Sequence, residues 1–305
     1  MKMSNKLLII YLLTFVLLFG CKSTPKQEKS QDDGKTKNRV SASTNTALSW
    51  YDLENENAMS IKLPDEISEI SGIAVTGDDR LFCHGDEDAD VFQIDMNTGK
   101  VIKKFYVGET SVNGDFEDIT IAGERFFLVE SKGVIVEFKE GGDGEHVPYV
   151  VYKTFLKSSN NVEGLCYDPE INSLLLVCKD YPGKGYEKNK AVYYLFLNNM
   201  TLYEKPRFLI PLKDIKKNTS ENEFSPSGIA RHPKTGTFFI IAARGNAIIE
   251  LSRDGEILAQ RDLPEKVHKQ PEGIAITGDG TVLISNEGRF KSARLISYPM
   301  KTENK

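Results

Sequence analysis

Apolar residues along this chain come in short runs closed by glycine, asparagine or aspartate. The first set reads Ile73–Val75, Leu81–Cys83, Val91–Ile94 and Val101–Val107, with turn residues at Gly77-Asp78-Asp79 and Asn97-Thr98-Gly99. Runs of this length, broken by these residues, predict antiparallel strands joined by hairpins. The set then recurs. Second strands are expected at Phe126–Val129, Leu174–Val177, Phe238–Ile241 and Val282–Ile284. Third strands fall at Val134–Phe138, Val192–Leu197, Ala247–Leu251 and Leu295–Tyr298, and fourth strands at Pro148–Phe155, Arg207–Pro211 and Ile257–Leu263. Each set opens on one phrase: Ser71-Gly72-Ile73-Ala74, Glu117-Asp118-Ile119-Thr120, Glu163-Gly164-Leu165-Cys166, Ser227-Gly228-Ile229-Ala230 and Glu272-Gly273-Ile274-Ala275. From Gly72 the steps are 46, 46, 64 and 45 residues. A β-filled period of about 45 is the signature of propeller blades.

The expected fold is therefore all-β, a β-propeller of five four-stranded blades, with six blades as the alternative that needs more chain. The last copy lacks a fourth strand. Met59–Pro64 resembles Ile257–Pro264, so an N-terminal strand is expected to complete the last blade and close the ring. Ser49–Leu53 reads as a further strand with no evident slot. The long interval holds two insertions, Asp180–Lys190 and Lys213–Phe224, both polar and expected at the surface, the second with helical character.

The first 47 residues break the pattern. Two lysines precede Leu7–Phe19, an apolar stretch of 13 residues that is too short to span a bilayer as a helix. Leu18-Phe19-Gly20-Cys21 follows, and it resembles the lipobox of bacterial lipoproteins. Residues 1–21 are thus expected to be a lipoprotein signal peptide, with Cys21 lipidated. Residues 22–47 are polar and cannot bury enough surface to offset ordering entropy, so they read as a flexible tether. Residues 48–305 form the propeller domain. The expected location is the bacterial cell envelope, anchored to a membrane through acylated Cys21.

Charge narrows the partners. The chain has 305 residues and a net charge of −5, with no basic stripe, which argues against nucleic acid. Four cysteines show no zinc spacing. Cys83 and Cys166 occupy core columns and read as buried and inert, and a Cys166–Cys178 disulfide is the open alternative. The column of small residues Ala74, Thr120, Cys166, Ala230 and Ala275 suits the crowded axis.

One column carries chemistry. Ser71, Glu117, Glu163, Ser227 and Glu272 stand at the entry to the innermost strands and should ring one mouth of the channel. Three converging carboxylates repel each other and need water, a shared proton or a cation. Calcium suits an irregular oxygen set, with Glu117, Glu163, Glu272 and the neighbouring Asp118 as candidate ligands. The competing reading is that these glutamates cap backbone amides between blades. A second polar column, Asp86, Glu87, Glu130, Lys179, Arg244, Asn286 and Glu287, follows the second strands and is a possible ligand mouth. Simple solvation of strand ends explains it equally well.

The runs Glu69-Ile70-Ser71-Gly72-Ile73, Asp115-Phe116-Glu117-Asp118-Ile119, Asn161-Val162-Glu163-Gly164-Leu165 and Gln270-Pro271-Glu272-Gly273-Ile274-Ala275 resemble the SdiA-regulated family, a bacterial group of exported propellers distantly related to NHL-repeat proteins. The resemblance covers about residues 50–299. It implies a five-bladed propeller with bound calcium, and no catalytic activity is established for the family. The expected function is a membrane-tethered, calcium-binding module recognising a protein, glycan or small ligand in the envelope. The alternative is a calcium-dependent hydrolase of a phosphoester or lactone, a reading that rests on fold analogy. No GxSxG, HExxH or P-loop pattern is present.

Overall fold

The computed structural model describes residues 46–215, 223–288 and 292–301. Cys21 and nearly all of the tether lie outside the described residues, as does most of the second insertion. No helix among the described residues is long and apolar enough to cross a membrane.

Five antiparallel sheets form the five blades. The first comprises Ile70–Val75, Leu81–Gly85, Asp90–Ile94 and Val101–Val107; the second, Phe116–Ala122, Arg125–Glu130, Val134–Lys139 and Tyr149–Lys153. The third runs through Val162–Asp168, Ser173–Cys178, Asn189–Phe196 and Phe208–Pro211; the fourth, through Ser225–Arg231, Phe238–Arg244, Ala247–Leu251 and Ile257–Asp262. The fifth takes Pro271–Ile276, Val282–Asn286 and Arg294–Tyr298 from the end of the chain and Met59–Lys62 from its beginning. The closing strand pairs Met59 with Ser297 and Lys62 with Arg294. The ring thus closes as the sequence predicts, with no large edge left open where the chain ends meet. Two short strands were not expected. His146–Val147 joins the outer edge of the first blade in parallel, and Thr201–Leu202 extends the third.

Burial explains why the second strands read as unbroken apolar runs. Every residue of Ser173–Cys178 and of Val282–Asn286 is buried, because each blade packs both its faces against neighbours. Outer strands such as Ile257–Asp262 are mostly half-exposed. The cores lie between blades. Phe82, Phe126 and Val136 fill the seam of blades 1 and 2, and Leu128 lies beside them. Val129, Leu165 and Leu176 fill the next seam, and Ile229, Ile240 and Leu175 the one after.

Ser49–Leu53 is not a strand. Ala47–Trp50 forms a 3-10 turn whose Ala47 and Leu48 amides donate to the buried Glu250 carboxylate at 3.2 and 2.9 Å. Its side chains and those of Tyr51 and Leu53 fill the seam between blades 4 and 5. The disulfide alternative also falls: Cys83, Cys166 and Cys178 are free and buried. Cys166 pairs in register with Leu175, and Cys178 with Val162, so the two thiols belong to different seams.

Candidate functional site: the glutamate mouth

All five inner strands carry a β-bulge at the same place. Register shifts fall between Ile70 and Ile73, Phe116 and Asp118, Val162 and Gly164, Pro226 and Gly228, and Pro271 and Ile274. A bulge re-aims one side chain and breaks the alternation of faces. Here the re-aimed residues are Ser71, Glu117, Glu163, Ser227 and Glu272. The repeated glycine beside them has a packing cause: a Cβ on Gly228 would sit 2.8 Å from the Glu272 carbonyl oxygen, and one on Gly273 would sit 2.9 Å from that of Ser71. Neighbouring inner strands approach too closely for a side chain.

The bulges lie at one end of the ring. Ile70 pairs with Gly85, Phe116 with Glu130, Val162 with Cys178, Ser225 with Arg244 and Pro271 with Asn286. Entries to inner strands and exits from second strands therefore share a face. Both insertions of the long interval connect elements at this same face.

The three glutamates act on one another. Glu117 is pushed up to about 9, first by burial and then by Glu163 and Asp115, with Glu272 adding to the effect. Burial also raises Glu163, against the pull of Lys179. Lys179 Nζ donates to Glu163 Oε1 at 2.7 Å. Burial lowers the Lys179 ammonium, but Glu163, Glu272 and Glu117 outweigh this and raise it. Lys190 Nζ donates to the Lys179 carbonyl, which fixes the backbone below the ion pair.

Asp118 stands apart from this group. It is fully buried; Oδ1 accepts the Ile119 amide at 2.8 Å and Oδ2 accepts the Leu165 amide of the third blade at 2.7 Å. Both oxygens are thus spent on backbone, as the capping reading describes. Burial raises its carboxyl well above the ordinary range, against those two hydrogen bonds. The serines likewise bond to backbone: Ser71 Oγ donates to the Glu117 carbonyl and Ser227 Oγ to that of Pro271.

The second polar column divides. Lys179 joins the glutamates. Asp86 and Glu87 line a small acidic cleft of about 260 Å³, and Asn286 and Glu287 line a larger one of about 610 Å³. Glu130 pairs with Lys132, and Arg244 lies 3.9 Å from Glu223.

Sequence reasoning passed over His84 and Asp115. His84 Nε2 accepts the Gly72 amide at 3.2 Å, just as Ser285 Oγ accepts that of Gly273 at 2.9 Å. Both partners lie 12 residues beyond their glycine, a spacing that was available to find them. His84 Nδ1 donates to the Gly85 carbonyl, and burial holds the ring neutral, its pKa lowered to about 4.

An oxygen-only set of three carboxylates is the donor chemistry that calcium takes. Among the described residues, however, no three carboxylate, thiol or imidazole groups stand together as a ready ligand set. The ammonium of Lys179 holds Glu163 instead.

No curated protein matches the sequence. Among solved structures, the chain is similar to a glutaminyl cyclase from Myxococcus xanthus, with 12% identity over 80% of this chain and 94% of that one and a TM-score of 0.52. It is also similar to a luciferin-regenerating enzyme, with 10% identity, 80% and 93% coverage and a TM-score of 0.50. At these identities the likeness is one of fold. Over residues 202–304 the chain matches the SdiA-regulated family model, the family that its repeated phrases resemble.

Proposed function

We propose that this protein is a binding module of the bacterial cell envelope, held to a membrane through acylated Cys21, with the glutamate mouth as its ligand-binding face. One observation carries the reading: bulged inner strands set Glu117, Glu163 and Glu272 at one end of the channel, near enough for Glu163 and Glu272 to raise the Glu117 carboxyl. Loops of unequal length surround the same face, as they do where a rigid scaffold presents a variable recognition surface.

Calcium is the proposed ion of this mouth, and Glu117, Glu163 and Glu272 are its proposed ligands. When bound it supplies positive charge to these carboxylates. Lys179 already supplies part of that charge, so it competes for the site. Glu163 has to leave the 2.7 Å ion pair before it can turn to a metal.

The test is calorimetric titration of calcium into the metal-free protein and into Lys179→Met. Lys179→Met is expected to bind calcium at least tenfold more tightly than the parent, because one positive charge has left a poorly solvated site. Heat of binding in neither protein sinks the calcium reading. Equal affinities keep calcium but remove the competitor role of Lys179.

A further inference from the structure

A polar cleft of the mouth face lies beside the closing strand. It has a volume of about 610 Å³, within the roughly 300–1,000 Å³ range of small-molecule sites. One wall is the segment that precedes the fifth inner strand, with Lys269 and Gln270. The other comes from Asn286 and Arg294 of the fifth blade, with Ser60 of the closing strand between.

Two residues of this lining carry orphaned acceptors. Asn286 is 4% exposed, and its Nδ2 donates to His268 Nδ1 at 3.2 Å. His268 Nε2 in turn donates to Tyr298 Oη at 2.7 Å, and burial keeps that imidazole neutral, its pKa lowered to about 4. With the amide in this orientation, Oδ1 is buried with no hydrogen-bond partner. Gln270 repeats the arrangement: Nε2 donates to Glu287, and Oε1 is buried without a partner. A buried acceptor left without a donor is costly, so two beside one cleft are a demand for donors.

Charge at the lining points to the rest of the ligand. Lys266, Lys269 and Arg294 face Glu56 and Glu287, a positive balance in a chain of net charge −5. Lys266 is spent on Glu56 at 3.0 Å. Arg294 uses only Nε, on Ser60 Oγ at 2.6 Å, and its terminal nitrogens have no partner among the described residues. A guanidinium end of this kind is suited to paired oxygens of a carboxylate or phosphate.

We propose that this cleft is a second binding site, for a small acidic sugar: the acid group meets Lys269 and Arg294, and a turn of the Gln270 and Asn286 amides towards the cleft lets ligand hydroxyls answer their oxygens. The site is independent of any ion at the glutamate mouth. A carboxylate or a phosphate would satisfy the same cations, so both forms are tested.

The experiment is calorimetric titration of the intact protein with glucuronate, glucose 6-phosphate and glucose, each with and without EDTA. At least one acid is expected to bind tenfold or more tightly than glucose, with EDTA making no difference. Whichever acid binds tells a carboxylate site from a phosphate site. Arg294→Ala and Lys269→Ala, both on exposed side chains, are expected to bring the acid down to the level of glucose. Gln270→Leu is expected to weaken acid and glucose alike, a pattern that loss of charge alone does not produce. Neither acid binding better than glucose, or the three variants binding as the parent does, overturns the proposal. Binding abolished by EDTA overturns the independence of the two sites and assigns the ligand to the metal at the mouth.

Discussion

Blades 1 and 4 place serine where blades 2, 3 and 5 place glutamate, on the same bulge. In the serine sector the side chain is a stitch: Ser71 and Ser227 each reach the carbonyl of the next inner strand, at 3.1 and 2.6 Å. In the glutamate sector Glu117 and Glu163 gather charge, and burial raises both carboxyls. One backbone device thus serves two purposes, and the residue in the slot selects between them. Functional sites commonly carry such local cost, while the surrounding seams supply the stability that tolerates it.

The largest test of this comparison is at Asp118. Its carboxylate ties blade 2 to blade 3 and so fixes the spacing of Glu117 and Glu163. Asp118→Ala leaves the Ile119 and Leu165 amides buried without acceptors, and it is expected to destabilise by about 3 kcal/mol in urea unfolding. A loss below about 0.5 kcal/mol, the scale of an ordinary surface substitution, would show that the strap is idle.

Next is the charge itself. The folded Glu117 carboxyl, pushed up to about 9, lies above its ordinary 4.5, so folding takes up a proton between those values. Its contribution is intact below pH 4.5 and is lost as pH rises towards 9. Glu117→Gln removes this slope. At pH 8 the variant is expected to be more stable than the parent by about 2 kcal/mol, less than the full shift would give because solvent reaches the half-buried carboxyl, and near pH 4 the two should agree. Parallel stability–pH curves would mean that Glu117 sits well solvated. The smallest effect belongs to the serine sector, where Ser227→Ala is expected to cost about 1 kcal/mol with no change in the pH profile. A change in that profile would show that the sectors are coupled, contrary to the contrast drawn between them.

Much of this was legible in the chain. The glycine-containing phrase recurs because each inner strand needs a bulge and a close approach, so its spacing reports blades directly. The placement of Glu117, Glu163 and Glu272 at one end of the ring follows from that spacing. The strap role of Asp118 does not, because its partner amide belongs to Leu165, 47 residues away in another blade. Ser49–Leu53 was misleading for a similar reason. Its apolar residues look strand-like, but the acceptor that fixes the preceding turn is Glu250, over 200 residues distant. The Lys179–Glu163 pair lies between these cases: the hairpin register that sets Val162 opposite Cys178 makes the two neighbours, once the strand ends are known.

The turn at Ala47–Trp50 has a mechanical consequence. Glu250 clasps its amides, and Tyr51 Oη donates to the Gly280 carbonyl at 2.7 Å, before the chain continues to Met59–Lys62. Traction applied ahead of Thr46 is therefore taken up by the wedge between blades 4 and 5, much as a cable clamp spares the connector behind it. The one seam sewn from opposite ends of the polypeptide is sheltered from whatever tugs on the leading segment.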